Sequence, residues 1–235
     1  VAFGGVGALH GKAQIGHHLG NARHADAADA DKMDDADIGA ETGAQPDGAT
    51  FLRFGLIETD AIRAQWPHSS SVGLLVTVGA ELKVELLTRN SGGASFQLGE
   101  AFHTYFHISD VADMAIRGLE GCAYLDKVEG FSRKIQQGAV VIGSEVDRVY
   151  LDTGADCLID DRGLKRRIRI AKRNSRSTVV WNPWTEKAEK MGDFGPQGHR
   201  GMVCVETANA LDNVVTVTPG AEHGLLAVIS VEALE

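Results

Sequence analysis

The chain has 235 residues and a formal net charge of −9, and 43% of its residues are hydrophobic and 23% charged. This composition is typical of a globular protein with a buried core, and one all-β unit often reaches this length. The negative charge disfavours nucleic acid and anionic membranes as partners, although a few local cations could still hold an anionic small molecule. No apolar run reaches the about 18 residues of a membrane span. Three widely spaced cysteines without a CxxC pair indicate a reducing, cytoplasmic compartment and no zinc site.

Residues 1–50 differ from the rest of the chain. They contain twelve Ala, nine Gly and seven Asp, and Phe3 is their only aromatic residue. The stretch His24–Asp37 has neither a period-2 nor a period-3.6 apolar pattern, so it cannot bury enough apolar surface to offset its ordering entropy. We therefore expect residues 1–50 to be a segment of low order, separate from a domain at 51–235. The abrupt change in composition suggests an out-of-frame or unrelated origin.

From Phe51 onward, short runs of alternating apolar residues are separated by turn residues. β-Branched residues and spacings of about ten residues predict an antiparallel sandwich. One segment, Thr185–Met191, reads as a short helix with Thr185 as its cap. The predicted strands are Phe51–Glu58, Val72–Val78, Leu82–Leu87, Ala139–Ile142, Arg148–Leu151, Leu164–Ile170, Thr178–Trp181, Met202–Glu206, Val214–Val217 and Leu225–Val231.

His103 lies among aromatic residues in the segment Glu100–Phe106 (EAFHTYF), next to Tyr105. Burial among such residues can bring the pKa of a histidine into the range where it gives or takes a proton near neutral pH. The alternative is a core histidine that is hydrogen-bonded to a carbonyl. Taken alone, the segment leaves both readings open.

Two carboxylates stand at the ends of apolar strands. Glu206 follows Met202–Val205, where it is either a surface residue or a base placed in a pocket. Asp147 precedes Arg148, and it could accept hydrogen bonds from sugar hydroxyls or pair with that arginine on a surface turn. Neither carboxylate identifies a site by itself.

Two further motifs have a functional and a structural interpretation. Trp181-Asn182-Pro183-Trp184 offers aromatic faces and an amide that suit the two sides of a sugar ring, or a corner of hydrophobic packing. The basic run Arg162–Arg176 could bind a phosphate. Its alternation Arg167-Ile168-Arg169-Ile170 instead favours a half-buried strand with a solvated charged face.

Taken in order, several segments resemble the aldose-1-epimerase superfamily, and most of all its hexose-6-phosphate mutarotase branch. The resemblance covers roughly residues 51–231. The matching segments are Trp66-Pro67-His68, Glu100–Phe106, Gly118–Gly121, Tyr124–Lys127, Asp147–Tyr150 (DRVY), Val179–Trp184 (VVWNPW), Met191–Phe194 and Met202–Asn209 (MVCVETAN).

The resemblance implies an antiparallel β-supersandwich whose sugar pocket lies on the concave face of one sheet. It implies interconversion of the α and β anomers of hexose 6-phosphates, without a metal or organic cofactor. His103 matches the histidine that protonates the ring oxygen, and Glu206 matches the ionised glutamate that takes the proton of the anomeric hydroxyl. Asp147 matches an aspartate that binds hydroxyls. We expect Tyr105, Trp181 and Asn182 to line the same pocket.

The resemblance ends before residue 51, where the family has further strands that help to bind sugar and phosphate. The sandwich is therefore expected to lack part of its N-terminal strands, and the loss of the phosphate contacts puts the activity of this truncated isomerase in doubt. Two alternatives stay open. One is an epimerase for unphosphorylated sugars that uses the same acid–base pair, and the other is a carbohydrate-binding sandwich without turnover.

Overall fold

A computed structural model describes residues 38–45, 48–192, 194–195 and 197–234 of the chain. Regular structure in these ranges is mostly β, with two short helices, α1 (Asp60–Gln65) and α2 (Trp184–Lys190). The strands are β1 (Ile38–Ala44), β2 (Thr50–Leu56), β3 (Ser70–Val78), β4 (Leu82–Asn90), β5 (Phe96–Leu98), β6 (Glu100–Phe102), β7 (Tyr105–His107), β8 (Met114–Arg117), β9 (Ala123–Asp126), β10 (Ser132–Ile135), β11 (Val146–Tyr150), β12 (Cys157–Asp161), β13 (Arg166–Arg173), β14 (Ser177–Asn182), β15 (Met202–Asn209), β16 (Val215–Val217) and β17 (Glu222–Ala233).

The strands form two large antiparallel sheets and one small pair. The eight-stranded sheet has the order β1-β2-β3-β4-β17-β13-β12-β8. The seven-stranded sheet has the order β10-β9-β11-β14-β15-β6, and β7 also pairs with β15. Strands β16 and β5 form the pair. The predicted all-β, antiparallel class is confirmed.

The main hydrophobic cluster takes residues from both large sheets. The eight-stranded sheet contributes Ile116 and Ile159, and the seven-stranded sheet contributes Val180, Val203 and Val205. All five are buried. Because successive side chains of a strand point to opposite faces, the alternate residues of β14 and β15 must point away from this cluster.

The apolar residues on that second face form clusters of their own. One cluster contains Val179 and Ala208, and another contains Trp181, Met202 and Cys204. Strands β14 and β15 are consequently buried at every position, on both faces. The outer face of the seven-stranded sheet is therefore a second packed surface, and the predicted site residues lie there.

Most of the predicted strands are present, with shifted ends. The segment Ala139–Ile142 is wrong as a strand, because only Val140 makes an isolated bridge, to Ile116. Strand β17 is longer than predicted, because it pairs along its length with both β4 and β13. The predicted helix is confirmed as α2, but it begins at Trp184 after Pro183.

The basic run forms strand β13. Ile168 and Ile170 are buried, whereas the alternate Arg169 is exposed. Arg167 contacts Asp160 on the neighbouring strand β12. The half-buried strand with a charged outer face is confirmed.

Strand β1 lies inside the segment 1–50, for which the sequence predicted low order. It pairs in register with β2, so that Ala40 lies opposite Phe54 and Ala44 opposite Thr50. Residues 1–37, 46 and 47 of that segment lie outside the described residues. Neither helix in the described ranges has the length and hydropathy needed to cross a bilayer.

Candidate active site

His103 is placed by two short strands that share one partner. Strands β6 and β7 both pair with β15, and they are separated by residues 103 and 104, where Thr104 N–H donates to the Phe102 carbonyl at 2.9 Å. The two pairings follow the same register, so His103 lies opposite Glu206 across the sheet. The pairs that fix this register are Phe102–Thr207 and Tyr105–Cys204.

His103 and Glu206 form the central pair of the site. His103 Nε2 lies 3.4 Å from Glu206 Oε1, with 22% of the histidine side chain and 5% of the glutamate side chain exposed. The imidazole stacks on the ring of Tyr105 at 4.8 Å between centroids, and it meets the Trp181 ring edge-on at 5.6 Å. The aromatic rings hold the imidazole beside the carboxyl group, and its partial exposure leaves it open to a ligand.

The polar groups continue along one row across the outer face. Tyr105 pairs with Cys204, Cys204 with Trp181, and Trp181 with Asp147. The register of β11 with β9 extends this row to Lys127, whose Nζ lies 3.1 Å from Asp147 Oδ2. The row thus brings together four strands and the residue that follows β9.

Asp147 does not pair with Arg148, one of the two interpretations that the sequence allowed. Arg148 points to the other face, where its guanidinium lies 5.0 Å from the Tyr124 ring centroid and 3.9 Å from Asp126 Oδ2. This difference follows from alternation, because adjacent strand residues point to opposite faces. Asp147 therefore belongs to the face that carries His103 and Glu206.

Burial changes the acid–base properties of the site. Burial and, to a smaller extent, the charge of Asp147 together raise the pKa of Glu206 to about 8, with Lys127 opposing part of the rise. Burial also raises the pKa of the Cys204 thiol, and the nearby Glu206 and Asp147 add to this effect. The raised pKa favours the protonated form of Glu206 in the unliganded chain, whereas the sequence-based expectation is an ionised carboxylate.

Asn182 has a structural role in place of the predicted sugar contact. Its Nδ2 donates to the carbonyls of His199 and Met202 at 2.8 and 2.9 Å, and its Oδ1 accepts from Trp184 N–H at 2.9 Å. That last bond supports Trp184 at a φ of 57°, in the left-handed region. Asn182 follows Trp181 on the same strand, so it faces the interior and not the pocket.

Sequence reasoning missed two residues of the site, Lys127 and Cys204. Both occur in segments that carry the family resemblance, and the signal that could have found them is spacing. Cys204 precedes Glu206 by two positions, and Lys127 follows the partly buried Leu125 by two. Donor atoms of His103, Cys204 and Glu206 all lie within 4.8 Å of one another. Among the described residues, these three form the group able to hold a metal ion.

Comparisons with known proteins place this geometry in a family. The family model for aldose 1-epimerase matches residues 41–230, a match that includes part of β1. A protein of Cenchrus ciliaris with the provisional name glucose-6-phosphate 1-epimerase is 39% identical over 67% of this chain and 49% of its own length. A protein of Salmonella typhimurium with the same provisional name is 31% identical over 71% of this chain and 55% of its own length.

Solved structures of related proteins have the same fold. A provisionally named mutarotase from Salmonella typhimurium has a TM-score of 0.76 and 28% identity, covering 83% of this chain and 65% of that one. An Escherichia coli protein with the provisional name aldose 1-epimerase has a TM-score of 0.60 at 16% identity, covering 83% of this chain and 69% of that one, which shows the shared fold. The chain spans about half the length of the relatives it matches by sequence. From the extent of the family match, this chain belongs to the aldose 1-epimerase family.

Proposed function

We propose that this chain carries the acid–base site of a hexose-6-phosphate 1-epimerase, which interconverts the α and β anomers of its substrate. The observation that carries the proposal is the His103–Glu206 pair, held 3.4 Å apart on neighbouring strands of one sheet face. Two relatives bear the provisional name glucose-6-phosphate 1-epimerase. The substrate class, a sugar phosphate, is taken from those names.

The reaction needs two proton-transfer groups at one carbon. In ring opening, Glu206 takes the proton of the O1 hydroxyl, His103 gives a proton to O5, and the C1–O5 bond breaks to leave an aldehyde. Rotation about C1–C2 exposes the other face of the carbonyl, and the two groups reverse their roles as the ring closes. Such assistance accelerates a reaction by about 10²–10⁴-fold. With a pKa of about 8, the Glu206 carboxyl group is partly ionised near neutral pH, and this ionised fraction is the base that opens the ring.

Other residues of the row would bind and orient the sugar. Trp181, which is 2% exposed, packs its ring against His103 and helps to hold the imidazole, and Tyr105 is 41% exposed at the rim. Asp147 could accept hydrogen bonds from hydroxyl groups, with Lys127 fixing its carboxylate. We do not include Asn182, because its amide is taken up by backbone groups.

An epimerase for unphosphorylated sugars is the second candidate, and the local charges favour it. Two lysines lie beside Trp181 and Asp147: Lys127 contacts Asp147, and Lys187 Nζ lies 5.9 Å from the Trp181 ring centroid. Each contacts a carboxylate at 3.1 Å, Lys127 that of Asp147 and Lys187 that of Glu145. A phosphate would have to compete with these carboxylates.

The test is the rate of α/β exchange, measured by NMR with and without the full chain. Catalysed exchange of glucose 6-phosphate that exceeds the exchange of glucose would support the proposal. Faster exchange of glucose would favour the second candidate. Sugar binding without any catalysed exchange would instead support a carbohydrate-binding sandwich.

The compartment is also a proposal. All three cysteines are free thiols, and two of them, Cys157 and Cys204, are buried. Free thiols of this kind favour a reducing, cytoplasmic location. Finding any of them in a disulfide in protein isolated from its native source would contradict it.

A further inference from the structure

We propose that His103, Cys204 and Glu206 together bind a thiophilic divalent cation of the Zn²⁺ type, which would compete with the sugar for the outer face of the sheet. An imidazole, a thiol and a carboxylate are the three ligand types that Zn²⁺ prefers. Their donor atoms lie within 4.8 Å of one another. Binding of the ion does not depend on the proposed activity, whereas inhibition by it does.

The spacing of the donor atoms is close to that of a tetrahedral ion. Ligand bonds of ~2.0–2.1 Å to nitrogen and oxygen place two ligand atoms about 3.3–3.4 Å apart. His103 Nε2 and Glu206 Oε1 are 3.4 Å apart. A sulfur ligand at ~2.3 Å belongs about 3.6 Å from the other two. Since the donor atoms lie within 4.8 Å of one another, each distance to the sulfur has to shorten by about 1.2 Å at most. Rotation of side chains can supply that movement.

The scaffold around these ligands is rigid. Cys204 and Glu206 are two residues apart on β15, so they project from the same face of a strand that is buried at every position. His103 lies opposite Glu206 in the register that β6 and β7 share. Ligands on buried strands lose little freedom when they bind, which favours a preorganised site.

The electrostatic surroundings also favour a cation. Glu206 Oε1 is buried and accepts no hydrogen bond from the described residues. Asp147, in the next row of the same face, brings a second carboxylate, and Lys127 beside it is the basic side chain that opposes them. A divalent ion would supply positive charge where two carboxyl groups and a thiol converge, and it would displace the thiol proton as it binds.

The donor set selects the type of ion. Three protein ligands leave a fourth position for water or a sugar oxygen, as in catalytic rather than structural zinc sites. Mg²⁺ and Ca²⁺ prefer six or more oxygen ligands, so a thiol and an imidazole exclude them. The partly exposed ring of His103 gives the ion its route to the buried thiol.

The experiment uses Co²⁺ as a spectroscopic probe on the full chain. A cobalt–thiolate charge-transfer band in the near ultraviolet reports a cysteine ligand. Binding alone would not test the site, because His10, His17, His18 and His24 in the first segment could also hold a metal. We expect a band that saturates at one Co²⁺ per chain, is displaced by Zn²⁺ and is unaffected by Mg²⁺.

Variants separate this site from the other thiols. Cys204→Ser should abolish the band, and Glu206→Gln should weaken Co²⁺ binding by at least about 10-fold. Cys122→Ser is the matched control, because this cysteine lies outside the site, and it should leave the band intact. Circular dichroism checks that each variant is folded. Absence of the band in the wild-type chain, or its persistence in Cys204→Ser, would overturn the proposal.

Zn²⁺ should also raise the apparent KM for the sugar if the chain is an epimerase. This readout tests competition only. An inactive chain that still shows the Cys204-dependent band would leave the metal site established and refute the proposed function. An active chain that shows no such band would support the proposed function and refute the metal site.

Discussion

Strands β14 and β15 are buried on both faces, but the two faces have different chemistry. The inner face carries Val180, Val203 and Val205, which pack against the opposite sheet. The outer face of the same strands carries Trp181 and Glu206, beside His103. Burial therefore does not distinguish core from site in this molecule. The difference lies in the kind of group that is buried, because a buried carboxyl group keeps an altered pKa whereas a buried valine only fills space.

The sharpest way to test this comparison is to change adjacent residues on the two faces. Glu206→Gln, or His103→Ala, should lower the rate of anomer exchange by about 10²–10⁴-fold, because each removes one proton-transfer group. The measurement is the exchange rate by NMR. Val205→Ala is the control on the inner face, and it should lower stability by roughly 1–3 kcal/mol while the rate per folded molecule stays the same. Exchange at the wild-type rate in Glu206→Gln or His103→Ala would refute the assignment.

The raised pKa of Glu206 predicts a contribution of the outer face to stability that depends on pH. The folded-state pKa of about 8 lies above the ordinary value of 4.5, so the folded chain holds this proton more tightly than the unfolded chain does. The stabilisation is complete below about pH 4.5, decreases as the pH rises, and is lost above about pH 8. Its size is on the order of 5 kcal/mol.

Urea unfolding at pH 5, 7 and 9 measures this effect. Glu206→Gln cannot ionise at this position, so its free energy of unfolding should exceed that of the wild type by more at pH 9 than at pH 5. Val205→Ala should keep the wild-type pH dependence. The same pH dependence in wild type and Glu206→Gln would show that Glu206 titrates normally.

A smaller effect is expected when Trp181 and Asn182 are each changed. These two residues are adjacent in sequence but point to opposite faces of the sheet. Asn182→Ala removes bonds to three backbone groups in a buried place, so it should lower the free energy of unfolding by roughly 2–3 kcal/mol without changing KM. Trp181→Ala should raise KM for the sugar, because it removes the buried ring that packs against His103 and holds the imidazole in place. Denaturant unfolding and substrate titration measure the two effects. If Asn182→Ala raised KM at equal concentrations of folded protein, Asn182 would have to contact the sugar after all.

Much of the fold could be predicted because period-2 alternation records which strand face is buried. The charged face of β13 and the position of α2 followed from local patterns in this way. Strand β15 offered no such alternation, since both of its faces are covered. The segment Ala139–Ile142 was misleading for another reason: Val140 and Ile142 are buried in the core while Val141 is exposed, but the segment makes no continuous strand pairing.

The sequence by itself determined the β class, the family resemblance, and the identity of His103, Glu206 and Asp147 as residues of interest. Tertiary structure decided which of the remaining side chains join them. Lys127 and Cys204 lie in the site because the pairing of the strands places residues from distant parts of the chain side by side. Asn182 is not part of the site, because it follows Trp181 on the strand and therefore points to the opposite face. The raised pKa of Glu206 also belongs to the tertiary structure, because it arises from burial and from Asp147, which lies 59 positions earlier in the chain.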